Sequence, residues 1–116
     1  MSVALHTVTF DCADAASLAE FWSGVLERPV DEGASGEFAS IAADGQGGPA
    51  WMFIQVPEAK QVKNRVHVDL GSADLTAEAE RVIKLGASRI ADHDEGGTHW
   101  TTLADPEGNE FDIAQD

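Results

Sequence analysis

His67 and Asp112 are the side chains of this 116-residue chain that most readily hold a ligand, and each sits in a stretch that alternates apolar and polar residues. Successive side chains of a strand point to opposite faces of its sheet. Val66, Val68 and Leu70 therefore claim one face and leave His67 and Asp69 on the other. Phe111 and Ile113 likewise leave Glu110, Asp112 and Ala114 opposite them. Near the N-terminus, Val8 and Phe10 leave Thr7, Thr9 and Asp11 on the far face. Between residues 50 and 56, Met52, Ile54 and Val56 separate from Trp51, Phe53 and Gln55. Thr7, Gln55, His67 and Asp112 are expected to converge on the side away from the helices, with Trp51, Phe53 and Asp69 beside them. A few convergent polar groups in an apolar-walled cavity are the usual form of a small-molecule site. Trp51, Phe53 and Trp100 either offer ring faces to a flat or cationic ligand or serve as ordinary packing. Asp69 either orients His67 or is a solvated strand residue. Glu110 has the parity of Asp112 but lies one pleat nearer a turn, and is expected at the rim.

Other chemistries find less support. Cys12 has no neighbouring Lys or Arg to lower its pKa, so it is not expected to act as a nucleophile. No Ser-His-Asp or Cys-His constellation is readable. Gly45-Gln46-Gly47-Gly48 lacks the following helix and the Lys-Ser/Thr pair of a phosphate loop. His93 and His99 flank Asp94-Glu95-Gly96-Gly97 and are expected on a solvated loop. Lys60, Lys63 and Arg65 form either an anion clamp or a solvated connector. Seven Lys+Arg against 21 Asp+Glu leave a formal charge of -14. That balance argues against nucleic acid and anionic membrane partners and leaves a cationic or metal-bearing ligand open. A lone cysteine precludes an internal disulfide and points to the cytoplasm. The N-terminal residues lack the basic segment of a signal peptide, and no apolar run is long enough to span a membrane.

The elements that must position these residues repeat. Val3–Phe10 reads as a strand, Asp14 as an N-cap, and Leu18, Phe21, Trp22, Val25 and Leu26 as a helical stripe stopped by Arg28-Pro29. Strands are expected over Phe38–Ala43 and Ala50–Val56. The pattern then restarts with a strand over Arg65–Leu70 and an N-cap at Asp74. Leu75, Ala79, Val82 and Leu85 form the second stripe, with Gly86 at the helix end. Short strands follow over Ser88–Ala91, Trp100–Leu103 and Glu110–Ala114, with a turn at Asp105-Pro106-Glu107-Gly108. Residues 7–14 overlay residues 67–74, apolar positions and caps coinciding. An internal duplication accounts for this, each half reading as a strand, a helix and three strands.

The two βαβββ halves, the Asp14…Phe21-Trp22…Val25-Leu26 helix, the Val66-His67-Val68-Asp69-Leu70 strand and the Asp105-Pro106-Glu107-Gly108-Asn109-Glu110-Phe111 run together resemble the vicinal oxygen chelate superfamily. That group includes glyoxalase I, extradiol dioxygenases, fosfomycin-resistance enzymes and bleomycin-resistance proteins, and the chain looks most like its small glyoxalase-like domains. The resemblance implies an α+β fold over residues 1–116. Module 1 (1–57) and module 2 (65–116) would form a curved mixed β-sheet cup with helices outside. It also implies a homodimer. In metal-binding members each half supplies one ligand from its first strand and one from its last. Carried over by position, these are His67, Asp112 and Gln55, with Thr7 where a further ligand would stand; His6 lies one residue out of register. The implied cofactor is a divalent metal (Zn, Ni, Mn or Fe). Thr7 and Gln55 depart from the ordinary ligand types. The expected function is binding of a small, cationic or aromatic molecule between the modules without a complete metal site. The alternative is a divalent-metal-dependent lyase, isomerase or dioxygenase acting on a small vicinal-oxygen substrate.

Overall fold

Asp14 and Asp74 each open a helix. In a computed structural model describing residues 2–116, the Asp14 carboxylate accepts from Ser17 N at 3.2 Å and that of Asp74 from Ala77 N at 3.1 Å. Each thus satisfies an amide that the first helical turn leaves without a partner. Helix α1 spans Ala15–Leu26 and α2 spans Leu75–Leu85. Helix α1 ends where Glu27 turns left-handed (φ 55°) ahead of Pro29, and α2 ends at Gly86 (φ 128°), a conformation that glycine tolerates best. The chain divides into two compact units, the first ending at Ala59 and the second running Lys60–Asp116.

The first unit holds strands β1 (Thr7–Cys12), β2 (Phe38–Ile41) and β3 (Ala50–Gln55) in the order β1-β3-β2. β1 runs parallel to β3, and β2 antiparallel to it. The second unit holds β4 (Asp69–Ser72), β5 (Ser88–Glu95), β6 (Thr98–Ala104) and β7 (Glu110–Gln115) in the order β4-β7-β6-β5. In both units the first strand lies parallel to the last. The expected third strand after α1 is reduced to one bridge between Val30 and Ile41, which extends the order as β5 does in the second unit. The fold is therefore α+β with a duplicated module, the first copy short of one strand.

Boundaries shift in three places. The first strand starts at Thr7 rather than Val3, and β4 starts at Asp69 rather than Arg65. β5 and β6 extend to Glu95 and Thr98, so His93 and His99 lie on a hairpin rather than in a loop. Gly96 and Gly97 make its turn with φ of 59° and 81°. Paired positive φ values are what a two-residue hairpin turn with the right twist requires.

Each unit has its own core on the helix side of its sheet. In the first unit Leu18, Trp22 and Val25 of α1 are buried with Ile41 and Phe53. The Trp22 ring centroid lies 5.2 Å from Trp51 and 5.4 Å from Phe10. In the second, Leu75, Ala79 and Val82 of α2 are buried with Leu103, Phe111 and Ile113, and α2 packs on β4, β6 and β7. Covering one face of a sheet with a single helix leaves the opposite face for other uses.

Candidate ligand site on the second module

The open face of the second sheet is assembled from the register of β7 outward. Asn64 grips β7 ahead of β4: its side chain donates to Glu110 O at 3.1 Å and accepts from Glu110 N at 2.9 Å. Val68 O then accepts from Asp112 N at 3.0 Å. The parallel register sets Asp69 directly beside Asp112. On the far side of β7, Thr102 of β6 pairs with Asp112.

These constraints bring His67, Asp69 and Asp112 together. His67 Nε2 lies 3.4 Å from Asp69 Oδ1 and 3.4 Å from Asp112 Oδ2. Donor atoms of the three residues all lie within 4.8 Å of one another. Thr102 Oγ1 donates to Asp112 Oδ1 at 2.6 Å, fixing the carboxylate so that its second oxygen faces the imidazole. The Asp112 side chain is 16% exposed, whereas those of His67 and Asp69 are 46% and 68% exposed. Solvent reaches this cluster from the Asp69 side.

A cavity of about 270 Å³ opens over His67 and Asp112, lined also by Lys63, Ile90, His93, Thr102 and Glu110. Lys63 Nζ forms an ion pair with Glu110 Oε1 at 2.5 Å, which commits Glu110 to the rim and removes it from the His67 cluster. His93 stacks on Trp100 of the facing strand, ring centroids 4.7 Å apart and planes 15° from parallel. A register shift between Arg89 and Ala91 leaves Ile90 half exposed at the cavity wall. Sequence reading missed His93, Ile90 and Thr102. The Gly96-Gly97 hairpin signal would have placed His93 opposite Trp100; nothing local announces the bulge that turns Ile90.

The first module treats its expected site residues differently. Trp51 and Phe53 are 8% and 0% exposed and lie against α1, not on the open face. The strand alternates as expected, but the opposite parity faces the helix: Val8 and Phe10 pair with Trp51 and Phe53, and all four take the helix side. The bulky indole of Trp22 accounts for the choice, since Phe10 and Trp51 surround it. Gln55 shares that parity. It pairs with Cys12 and its side-chain nitrogen donates to Ala13 O at 3.0 Å, just ahead of α1. Gln115 does the same for Ala73 O at 2.7 Å. The counterpart of Gln55 is thus Gln115, and the residue standing where Asp112 stands is Met52, opposite Thr9. Thr7 lies at the position of His67, and its hydroxyl pairs with His6 Nδ1 at 2.6 Å.

A divalent metal bound in the superfamily manner would draw two donors from each module. The second supplies an imidazole and a carboxylate, both ordinary ligands. The corresponding first-module positions supply the hydroxyl of Thr7 and the thioether of Met52, neither a ligand of choice for such ions. The four-donor set does not fit this chain.

Two carboxylates have lowered pKa values. Hydrogen bonds from Ser40 Oγ and Ala43 N hold Asp31 below the usual carboxylate range. Asp92 is lowered chiefly by a hydrogen bond from Thr101 Oγ1, helped by Arg89. No helix among the described residues is long and apolar enough to cross a membrane.

Solved structures share this architecture. A glyoxalase/bleomycin resistance protein/dioxygenase family enzyme from Burkholderia phytofirmans PsJN superposes with a TM-score of 0.79 at 18% identity, covering 97% of this chain and 98% of that one. The E126Q mutant of the fosfomycin resistance protein FosX from Listeria monocytogenes, complexed with Mn(II) and 1S,2S-dihydroxypropylphosphonic acid, scores 0.78 at 12% identity, covering 98% and 90%. A lactoylglutathione lyase from Agrobacterium tumefaciens scores 0.70 at 12% identity, covering 99% and 95%. No curated relative matches the sequence. The glyoxalase-like domain profile matches residues 7–114. With that match across almost the whole chain, and the duplicated module beneath it, the chain belongs to the glyoxalase-like domain family.

Proposed function

We propose that this domain binds a small cationic or aromatic organic molecule on the open face of its second module, without the four-donor metal centre of its metal-dependent relatives. The observation that carries the reading is the cavity itself, which Asp112, His67 and His93 line, His93 being stacked on Trp100. Carboxylates outnumber the one lysine that lines it, which suits a positive ligand. A ring stack at its edge suits a flat one. The superfamily's use of this fold on small molecules supports the assignment, as does the FosX complex. From the same resemblance and the single cysteine we infer a homodimer that works in the cytoplasm.

The test is titration with protonated aromatic amines and their neutral isosteres, followed by calorimetry and by tryptophan emission. Cationic members should bind saturably. Asp112→Asn should weaken them by about tenfold, the loss of one charged hydrogen bond. Trp100→Phe should remove most of the fluorescence change, because Trp22 and Trp51 are buried in the other unit's core. Absence of saturable heat across the panel would discard the reading.

One observation favours a second reading, a divalent-metal-dependent lyase, isomerase or dioxygenase: the convergence of His67, Asp69 and Asp112. His67 and Asp112 would be the residues holding the ion. Bound there, it would supply Lewis acidity to vicinal oxygens of a substrate. Thr102 would keep the Asp112 carboxylate aimed, and Lys63 would hold Glu110 at the rim.

A further inference from the structure

Ile90 is placed by an irregularity of its strand. Arg89 pairs with Leu103 and Ala91 with Thr102, consecutive residues of β6, so Ile90 is the extra residue of a β-bulge. Strict alternation would send it to the face opposite Ala91; the bulge re-aims it to the same face. There it lines the cavity and stays 51% exposed. Holding a large aliphatic side chain open to water forgoes part of its burial energy. The rest of the cavity gives that side chain a direction. Asp112 on β7, Thr102 on β6 and Ala91 on β5 stand in one row across the strands and form the floor. Glu110, paired with Lys63, rises one pleat before that row, and His93, backed by Trp100, one pleat beyond it. Both ends along the strands are thus walled. The open direction runs from Asp112 over Thr102 and Ala91 to Ile90. Neighbouring strands lie roughly 4.8 Å apart, so about 10 Å separates the carboxylate from the apolar wall. At about 270 Å³ the cavity is smaller than the roughly 300 Å³ at which drug-sized sites begin, which suits one ring on a short chain.

We propose, resting on the ligand reading above, that Ile90 sets the specificity of this cavity and that the ligand is an amphiphilic cation. Its ammonium group lies on Asp112, and its apolar end, an aryl or branched alkyl group, lies about 10 Å away on Ile90 beside the His93 ring. The small Ala91 side chain keeps the floor low between the two ends. A chain too short to span that distance leaves Ile90 wet, and a polar far end gains nothing from it.

Calorimetric titration of the intact protein with protonated ω-phenylalkylamines, from benzylamine to 4-phenylbutylamine, tests this, with 4-phenylbutan-1-ol as the uncharged probe. Affinity should rise along the amine series and be highest for the longest members. Ile90→Ala should weaken 4-phenylbutylamine about tenfold, as for one to two methylene groups returned to water, and leave benzylamine unaltered. Ile90→Thr, which keeps the β-branched shape, should act in the same sense to a smaller extent. Val62→Ala, on a side chain 75% exposed but outside the cavity, should change nothing. Each variant is checked for native circular dichroism. No loss in Ile90→Ala, or equal losses for short and long amines, would overturn the proposal and leave the preceding reading standing. Ile90-dependent binding of 4-phenylbutan-1-ol as tight as that of the amine would support Ile90 as the specificity residue and overturn the cationic ligand. Absence of saturable binding by every probe would overturn both.

Discussion

Asp112 is constrained by both of its strand neighbours, Asp69 on one side and Thr102 on the other, and its carboxylate orientation follows from that placement. Asp31 is a comparable case in the first module, with Oδ2 accepting from Ser40 Oγ at 2.7 Å and Ala43 N at 3.0 Å. Those donors favour its ionised form, so its folded pKa is depressed. A depressed carboxylate adds stability that is complete above its unfolded pKa of about 3.9 and is lost as pH falls through the lower folded value. Asp31→Asn should therefore lower Tm at pH 7 and flatten the decline in Tm below about pH 4. Equal acid slopes in the two proteins would contradict this. Trp51 and Phe53 make the opposite lesson. Their ring faces invite a ligand on paper, but α1 claims them. Phe53→Ala should cost about 3–5 kcal/mol in denaturant unfolding, as for other buried aromatics, and leave ligand affinity of the folded protein unaltered.

At the scale of elements, both modules secure the entry to their helix by the same device. An aspartate caps the first turn, and a glutamine at the end of the last strand ties down the residue before it. Gln115 goes further, its Oε1 accepting from Leu75 N at 2.9 Å. Removing the Asp74 cap (Asp74→Ala) should lower stability by about 1 kcal/mol in chemical denaturation. Gln115→Ala should cost a similar amount, about 1 kcal/mol for the lost hydrogen bonds; a neutral result would show that water replaces them fully. The turn after β6 is likewise built by side chain: Asp105 Oδ1 accepts from Glu107 N at 2.9 Å and from Asn109 N at 3.0 Å. Much of the DPEGNE run is thus explained by turn geometry that delivers Glu110 and Asp112 to β7. Helices and caps were legible because their signals are local, a 3.6-residue period and an oxygen within one turn. The true starts of β1 and β4 were not, since pairing with a distant strand decides where a strand begins.

Across the whole molecule, a formal charge of -14 on 116 residues means net self-repulsion in the folded state. Raising NaCl from about 0.01 M to about 0.5 M shortens the screening length several-fold and should raise Tm. An unchanged Tm would mean that the acidic groups are already locally compensated. The sequence by itself determined the duplicated α+β module, both helices with their caps, and the company of His67 with Asp112. Each of these rests on short-range periodicity or on parity along one strand. Only the tertiary structure decided which parity of β3 faces its helix, which sent Trp51, Phe53 and Gln55 to the α1 side and put Met52 where Asp112 stands in the other module. Parity separates two sets of side chains but does not say which set meets the helix. That choice belongs to the packing around Trp22, and its partners come from strands distant in sequence.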